Sequence, residues 1–78
     1  MDEIKKQDNS AAVEIGRRLK VLRVERGIMA KDLCEKIGLK TSTLSNIESG
    51  KWNTGIKQLQ DIAHALGAHI DVVKAEHP

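Results

Sequence analysis

The chain has a single cysteine, Cys34, which excludes an internal disulfide framework and fits a reducing compartment. No apolar run approaches the roughly 20 residues of a membrane span. The start, Met1-Asp2-Glu3-Ile4-Lys5-Lys6-Gln7, lacks the apolar stretch of a secretion signal, so the expected location is the cytoplasm. Repeats, low-complexity tracts and internal linkers are also missing. Cys34 has no second cysteine beside it, and His64, His69 and His77 lack ligand spacing, so no metal or redox site is expected and the histidines are placed at the surface. Serine, histidine and aspartate occur without a nucleophile motif or a glycine-rich phosphate loop. Neither an enzyme nor a bound cofactor is expected. Aromatic residues are reduced to one, Trp52. It falls in a loop, where it packs on the last helix or inserts at a ligand; packing is the favoured expectation.

What is present is 78 residues of ordinary globular composition, 40% hydrophobic and 31% charged, enough for one domain. The net charge of +2 is uninformative, but its distribution is not. From Arg17 to Lys57 ten Lys/Arg face four acids, a net of +6, whereas residues 1–16 and 58–78 each carry −2. A positive middle between acidic ends suits an anionic partner. A solvated, mixed-charge helical surface would produce the same count.

The apolar spacing reads as helices stopped by glycines. Residues 1–9 form a polar tail. Ser10 can cap a first helix carrying Ala12, Ile15, Leu19 and Leu22, which ends at Gly27. Leu33 and Ile37 mark a second helix of about eight residues from Ala30, closed by Gly38. A third runs over Thr41 to Ser49 with Leu44 and Ile47 inward, ending at Gly50. After the loop Lys51-Trp52-Asn53-Thr54-Gly55, Thr54 can cap a fourth helix with Ile56, Leu59, Ile62, Ala63 and Leu66 on one face, stopped by Gly67. His69-Ile70-Asp71-Val72-Val73-Lys74 is β-branched and partly alternating, which favours a short strand. The fold class is thus all-α, four to five short helices with a C-terminal strand or short helix. The domain spans 10–67, and 68–78 are assigned to dimerisation and a tail.

Two short helices joined by about three residues containing a glycine describe a helix-turn-helix unit. Gly38 can take positive φ and turn the chain sharply enough to set the third helix across the second. Cys34 is small enough for the crossing, and Leu33, Ile37, Leu44 and Ile47 bury it. The third helix then presents Thr41, Ser42, Thr43, Ser45 and Asn46, short hydrogen-bonding side chains with no apolar purpose. A helix fits the major groove of B-DNA, where its N-terminal end reaches base edges and phosphates.

Three segments carry a family resemblance: Ile15-Gly16-Arg17-Arg18-Leu19-Lys20-Val21-Leu22-Arg23 through Gly27, then Leu33–Leu39 with Ser42-Thr43-Leu44-Ser45-Asn46-Ile47-Glu48-Ser49-Gly50-Lys51, and Leu59-Gln60-Asp61-Ile62-Ala63-His64-Ala65-Leu66-Gly67. Together they resemble the phage repressor and Cro-like, XRE-type helix-turn-helix regulators, with a lambda-repressor-like fold, over about Ile15 to Val73. The resemblance implies that Thr41, Ser42 and Asn46 read base edges, Asn46 above all because an amide pairs in a bidentate manner with adenine. It implies phosphate contacts from Arg17, Lys40, Thr43, Ser45, Lys51 and Asn53, with Thr43 and Ser45 alternatively facing the second helix. It further implies a partly buried ion pair between Arg23 and Glu48. The family usually opens the second helix with a Thr/Ser cap and a phosphate-binding Gln, and the third with a Ser cap. Met29, Ala30 and Lys40 stand at those positions, so both caps are expected to be missing.

The function expected from this reading is a DNA-binding transcriptional regulator, a repressor, working as a homodimer on a two-fold operator in double-stranded DNA. One reading helix covers few base pairs, and the chain is too short to be expected to hold a separate sensor domain. Ile70, Val72 and Val73 are the expected dimer contact, pairing as strands. The alternatives are an antitoxin that binds both its promoter and a toxin protein, and a protein-interaction module that has lost DNA binding.

Overall fold

The computed structural model describes residues 10–52 and 54–71. Among these the fold is all-α: α1 (Ser10–Glu25), α2 (Ala30–Ile37), α3 (Thr41–Glu48) and α4 (Ile56–Ala65), with no strand. Each helix presents one aliphatic face, and these faces close on one core of Leu19, Leu33, Cys34, Leu44, Ile47, Leu59, Ile62, Ala63 and Leu66. Ile15, Leu22, Ile37 and Ile70 pack against it half-buried. The four largest fully buried side chains, Leu33, Leu44, Ile47 and Ile62, each stabilise the fold by roughly 1.5–3 kcal/mol relative to exposure.

The α2–α3 turn is built as its sequence predicts. Gly38 sits at φ 73° and ψ 40°, and its backbone N–H donates to the Cys34 carbonyl. Leu39 N–H donates to the same oxygen at 2.9 Å. This closes α2 and redirects the chain within three residues.

What seats α3 against α1 is a pair of close backbone approaches. A Cβ on Gly16 would stand 2.0 Å from the Ile47 carbonyl oxygen, and one on Gly50 would stand 2.8 Å from the Val13 Cα. One glycine from each side lets the two backbones touch, and Gly50 in addition takes φ 83°. Neither approach is visible in an apolar pattern.

Several expectations are corrected. Ile56 is 61% exposed instead of lying on the buried face of α4. It is the first residue of the helix, and helical side chains lean toward the N-terminus, so it overhangs the end with nothing to cover it. Thr54 does not cap α4: Gly55 holds the cap position without a side-chain bond, and the Thr54 hydroxyl donates to Gln58 Oε1 at 2.6 Å. Trp52 packs against the core, but its indole N–H donates to the Ala12 carbonyl at 3.2 Å, so α1 is the polar anchor. Ser10 is the first helical residue of α1 instead of standing before it. Past α4, residues 68–71 take no regular structure. Ala68 N–H donates to the Ala63 carbonyl at 2.9 Å, and the Gln60 carboxamide brackets the Ile70 backbone, donating to its carbonyl at 2.7 Å and accepting its N–H at 2.9 Å. Val72, Val73 and Lys74, the rest of the expected strand, lie outside the described residues.

Candidate nucleic-acid interface

α3 is two-sided. Leu44 and Ile47 are 1% and 0% exposed, while Thr41, Ser42, Ser45 and Asn46 are all exposed. The one acid of the helix, Glu48, is turned inward and held. Arg23 Nε donates to Glu48 Oε2 at 2.7 Å and Nη2 to Oε1 at 3.2 Å, with side chains only 12% and 9% exposed. Arg23 Nη1 also donates to the Ile28 carbonyl at 2.9 Å. The expected ion pair is therefore present, and it links α1, the α1–α2 turn and the end of α3. The Glu48 hydrogen bond holds the Arg23 guanidinium above its ordinary pKa, so the guanidinium stays charged. Cys34 is buried nearby. Desolvation, helped by the Glu48 charge, pushes its thiol pKa up, which suits packing and not reactivity.

Cations frame this polar edge. Lys40 precedes α3 at its cap position and Lys51 follows its end, both exposed. Lys51 N–H donates to the Asn46 carbonyl at 2.8 Å, which fixes where the loop leaves the helix. Arg17 is exposed and lies one turn beyond Val13, the residue that abuts Gly50, so it stands on the flank of α1 that borders the end of α3. Its guanidinium and that of Arg18 both hold Glu14, at 3.0 and 2.6 Å, and these bonds pull the Glu14 pKa below its ordinary value. Such exposed pairs exchange readily for another anion. Thr43 is half-buried, between the two faces, and Asn53 lies outside the described residues.

The helix starts repeat one theme. Neither Met29 before α2, Lys40 before α3 nor Gly55 before α4 makes a side-chain cap hydrogen bond. The first backbone N–H groups of each helix, at the positive end of its dipole, thus receive no acceptor from the cap residue's side chain. The missing caps of α2 and α3 were expected; that of α4 was not. Sequence reasoning also passed over Gln58, although its spacing of four from Thr54 across a helix start was a usable signal.

A glycine-hinged helix pair with a buried inner side and an exposed polar outer side defines a helix-turn-helix domain. The helix-turn-helix domain family model matches residues 14–75, and the chain belongs to that family, a class of DNA-binding regulators and not of enzymes. It is 34% identical over 62 residues to the immunity repressor protein of Bacillus phage phi105, a match covering 80% of this chain and 43% of that protein. The chain thus spans less than half the length of this curated relative. Among solved structures it is similar to the clp gene regulator ClgR from C. glutamicum, with 27% identity, 76% of each chain covered and a TM-score of 0.72. It is also similar to HipB in a complex with an O2 20-mer, with 25% identity, 91% of this chain and 99% of that chain covered, and a TM-score of 0.76. Among the described residues no helix is long and apolar enough to cross a membrane.

Proposed function

We propose that the chain binds duplex DNA sequence-specifically in the cytoplasm and represses transcription, as a homodimer on a two-fold operator. The observation that carries this is the exposed edge of α3: four short hydrogen-bonding side chains with no carboxylate among them, bounded by Lys40 and Lys51. In this reading Thr41, Ser42 and Asn46 reach base edges in the major groove. Arg17, Lys40, Thr43, Ser45, Lys51 and Asn53 meet phosphates, and phosphate oxygens accept from backbone N–H groups at the starts of α2, α3 and α4, whose cap residues make no side-chain bond.

The homodimer supplies a second half-site about one helical turn away, which one short helix needs for specificity. Its contact is assigned to Ile70, Val72 and Val73. A monomeric sedimentation profile that persists with operator DNA would contradict it.

The test of DNA binding is a mobility-shift titration with random-sequence duplex across a salt series. Neutralised phosphates make log K fall linearly with log[salt], by about 0.9 per phosphate, so a steep decline is expected. No binding at low salt would leave a protein-interaction module. Co-purification of a small partner protein alongside DNA binding would make the chain an antitoxin that also holds a toxin.

A further inference from the structure

Between the end of α3 and the first turn of α4 lies a cleft of about 250 Å³ whose lining includes Thr43, Asn46, Lys51, Trp52, Thr54 and Gln58. Two of these belong to α3, one is a cation, and among the described residues no carboxylate lines the cleft. The clefts beside α1 and beside α2 instead pair a cation with an acid, Arg18 with Asp71 and Lys36 with Asp61. An anion entering the cleft next to α3 meets Lys51 and, among the described lining residues, no like charge.

The walls are held in position. The Trp52 indole N–H is bonded to the Ala12 carbonyl at 3.2 Å, which ties the ring to α1 and leaves it as an apolar surface of the cleft. Gln58 is half-buried, and its Oε1 accepts the Thr54 hydroxyl at 2.6 Å. With the oxygen committed, the carboxamide has its two N–H donors to offer a ligand. Gln58 is the third residue of α4, a position where a glutamate would suit the helix dipole better. A neutral donor there suits an anionic ligand.

We infer that this cleft seats one sugar–phosphate unit of duplex DNA, with the phosphate between Lys51 and the Gln58 carboxamide and the deoxyribose against Trp52. Gln58 is then a further DNA-contacting residue, oriented by Thr54. The inference rests on the DNA-binding reading above and adds to it a contact that sets the register of α3 on the duplex, since the seat adjoins Asn46.

Trp52 is the only tryptophan of the chain, so all tryptophan emission comes from this wall of the cleft. The full chain is titrated with a labelled 20-base-pair duplex of random sequence at low salt, following tryptophan emission and DNA anisotropy together. Emission is expected to change and to saturate with the anisotropy curve. Gln58→Glu keeps the side-chain length, can still accept the Thr54 hydroxyl and favours the start of α4, so its melting temperature stays at or above that of the parent. Its DNA affinity falls by roughly tenfold for every sequence, as a like charge is brought against phosphate. Gln58→Leu loses affinity by a few-fold with the salt slope unchanged, because a neutral donor releases no counterion. If the duplex binds while Trp52 emission stays still and Gln58→Glu binds like the parent, this inference is overturned and DNA binding stands. If the parent chain binds no duplex at low salt, the DNA-binding reading fails and takes this seat with it.

Discussion

The two sides of α3 use the same eight residues for opposite ends. On the inner side, Leu44 and Ile47 are sealed from water and Glu48 is fastened to Arg23. On the outer side, Thr41, Ser42, Ser45 and Asn46 are exposed, and a group already hydrated gains nothing from folding. The helix is therefore held from one side only, by burial of its apolar pair, by the Arg23 fork and by the glycine contacts with α1. That arrangement separates stability from recognition. The inner side sets where α3 lies, and the outer side can carry any short polar set without disturbing the fold.

The comparison can be broken most severely from the inner side. Arg23→Ala leaves Glu48 nearly buried without its cation and the Ile28 carbonyl without its donor. Loss of one partner from such a pair costs about 3–5 kcal/mol, to be read from urea unfolding. Ile47→Ala opens a cavity in the core and should cost about 2–5 kcal/mol by the same measurement. Gly16→Ala places a Cβ 2.0 Å from the Ile47 carbonyl oxygen, forcing α1 and α3 apart. A loss of about 1–3 kcal/mol is expected, against the gain of about 1 kcal/mol that the better helix former brings at an open site. Asn46→Ala, one residue from Ile47 but on the outer side, should change stability by no more than about 0.5 kcal/mol. A loss for Asn46→Ala comparable to that for Ile47→Ala would erase the distinction between the sides.

Much of this was legible in the chain. The four helices follow from apolar spacing and from Gly27, Gly38, Gly50 and Gly67, all of which take positive φ, and the polar set on α3 follows from its composition. The Arg23–Glu48 link came through the family resemblance and not through spacing. What escaped was non-local. Gly16 reads as a weak point inside a helix, because only the folded packing shows that the Ile47 carbonyl fills the place of its side chain. Trp52 and Ala12 are forty residues apart, and their hydrogen bond leaves no trace in a local pattern. The Gln60 bracket on Ile70 reads in sequence as one more polar side chain on a helix. Ile56 misleads in the other direction: a 3.6-residue period continues to the end of a helix, whereas the core beneath it does not. The exposed edge of α3 was legible as chemistry, and the missing caps of α2 and α3 as departures from the family pattern, whereas the missing side-chain cap of α4 needed the structure.

The most direct test of the central claim is selection of bound duplexes from a random pool, run in parallel with the parent chain and Asn46→Ala. The account predicts a defined two-fold motif for the parent. It predicts the same motif for the variant, with preference relaxed at one base pair of each half-site by about 1–3 kcal/mol. Motifs identical at every position, or uniformly weakened ones, would contradict base reading by the outer side of α3.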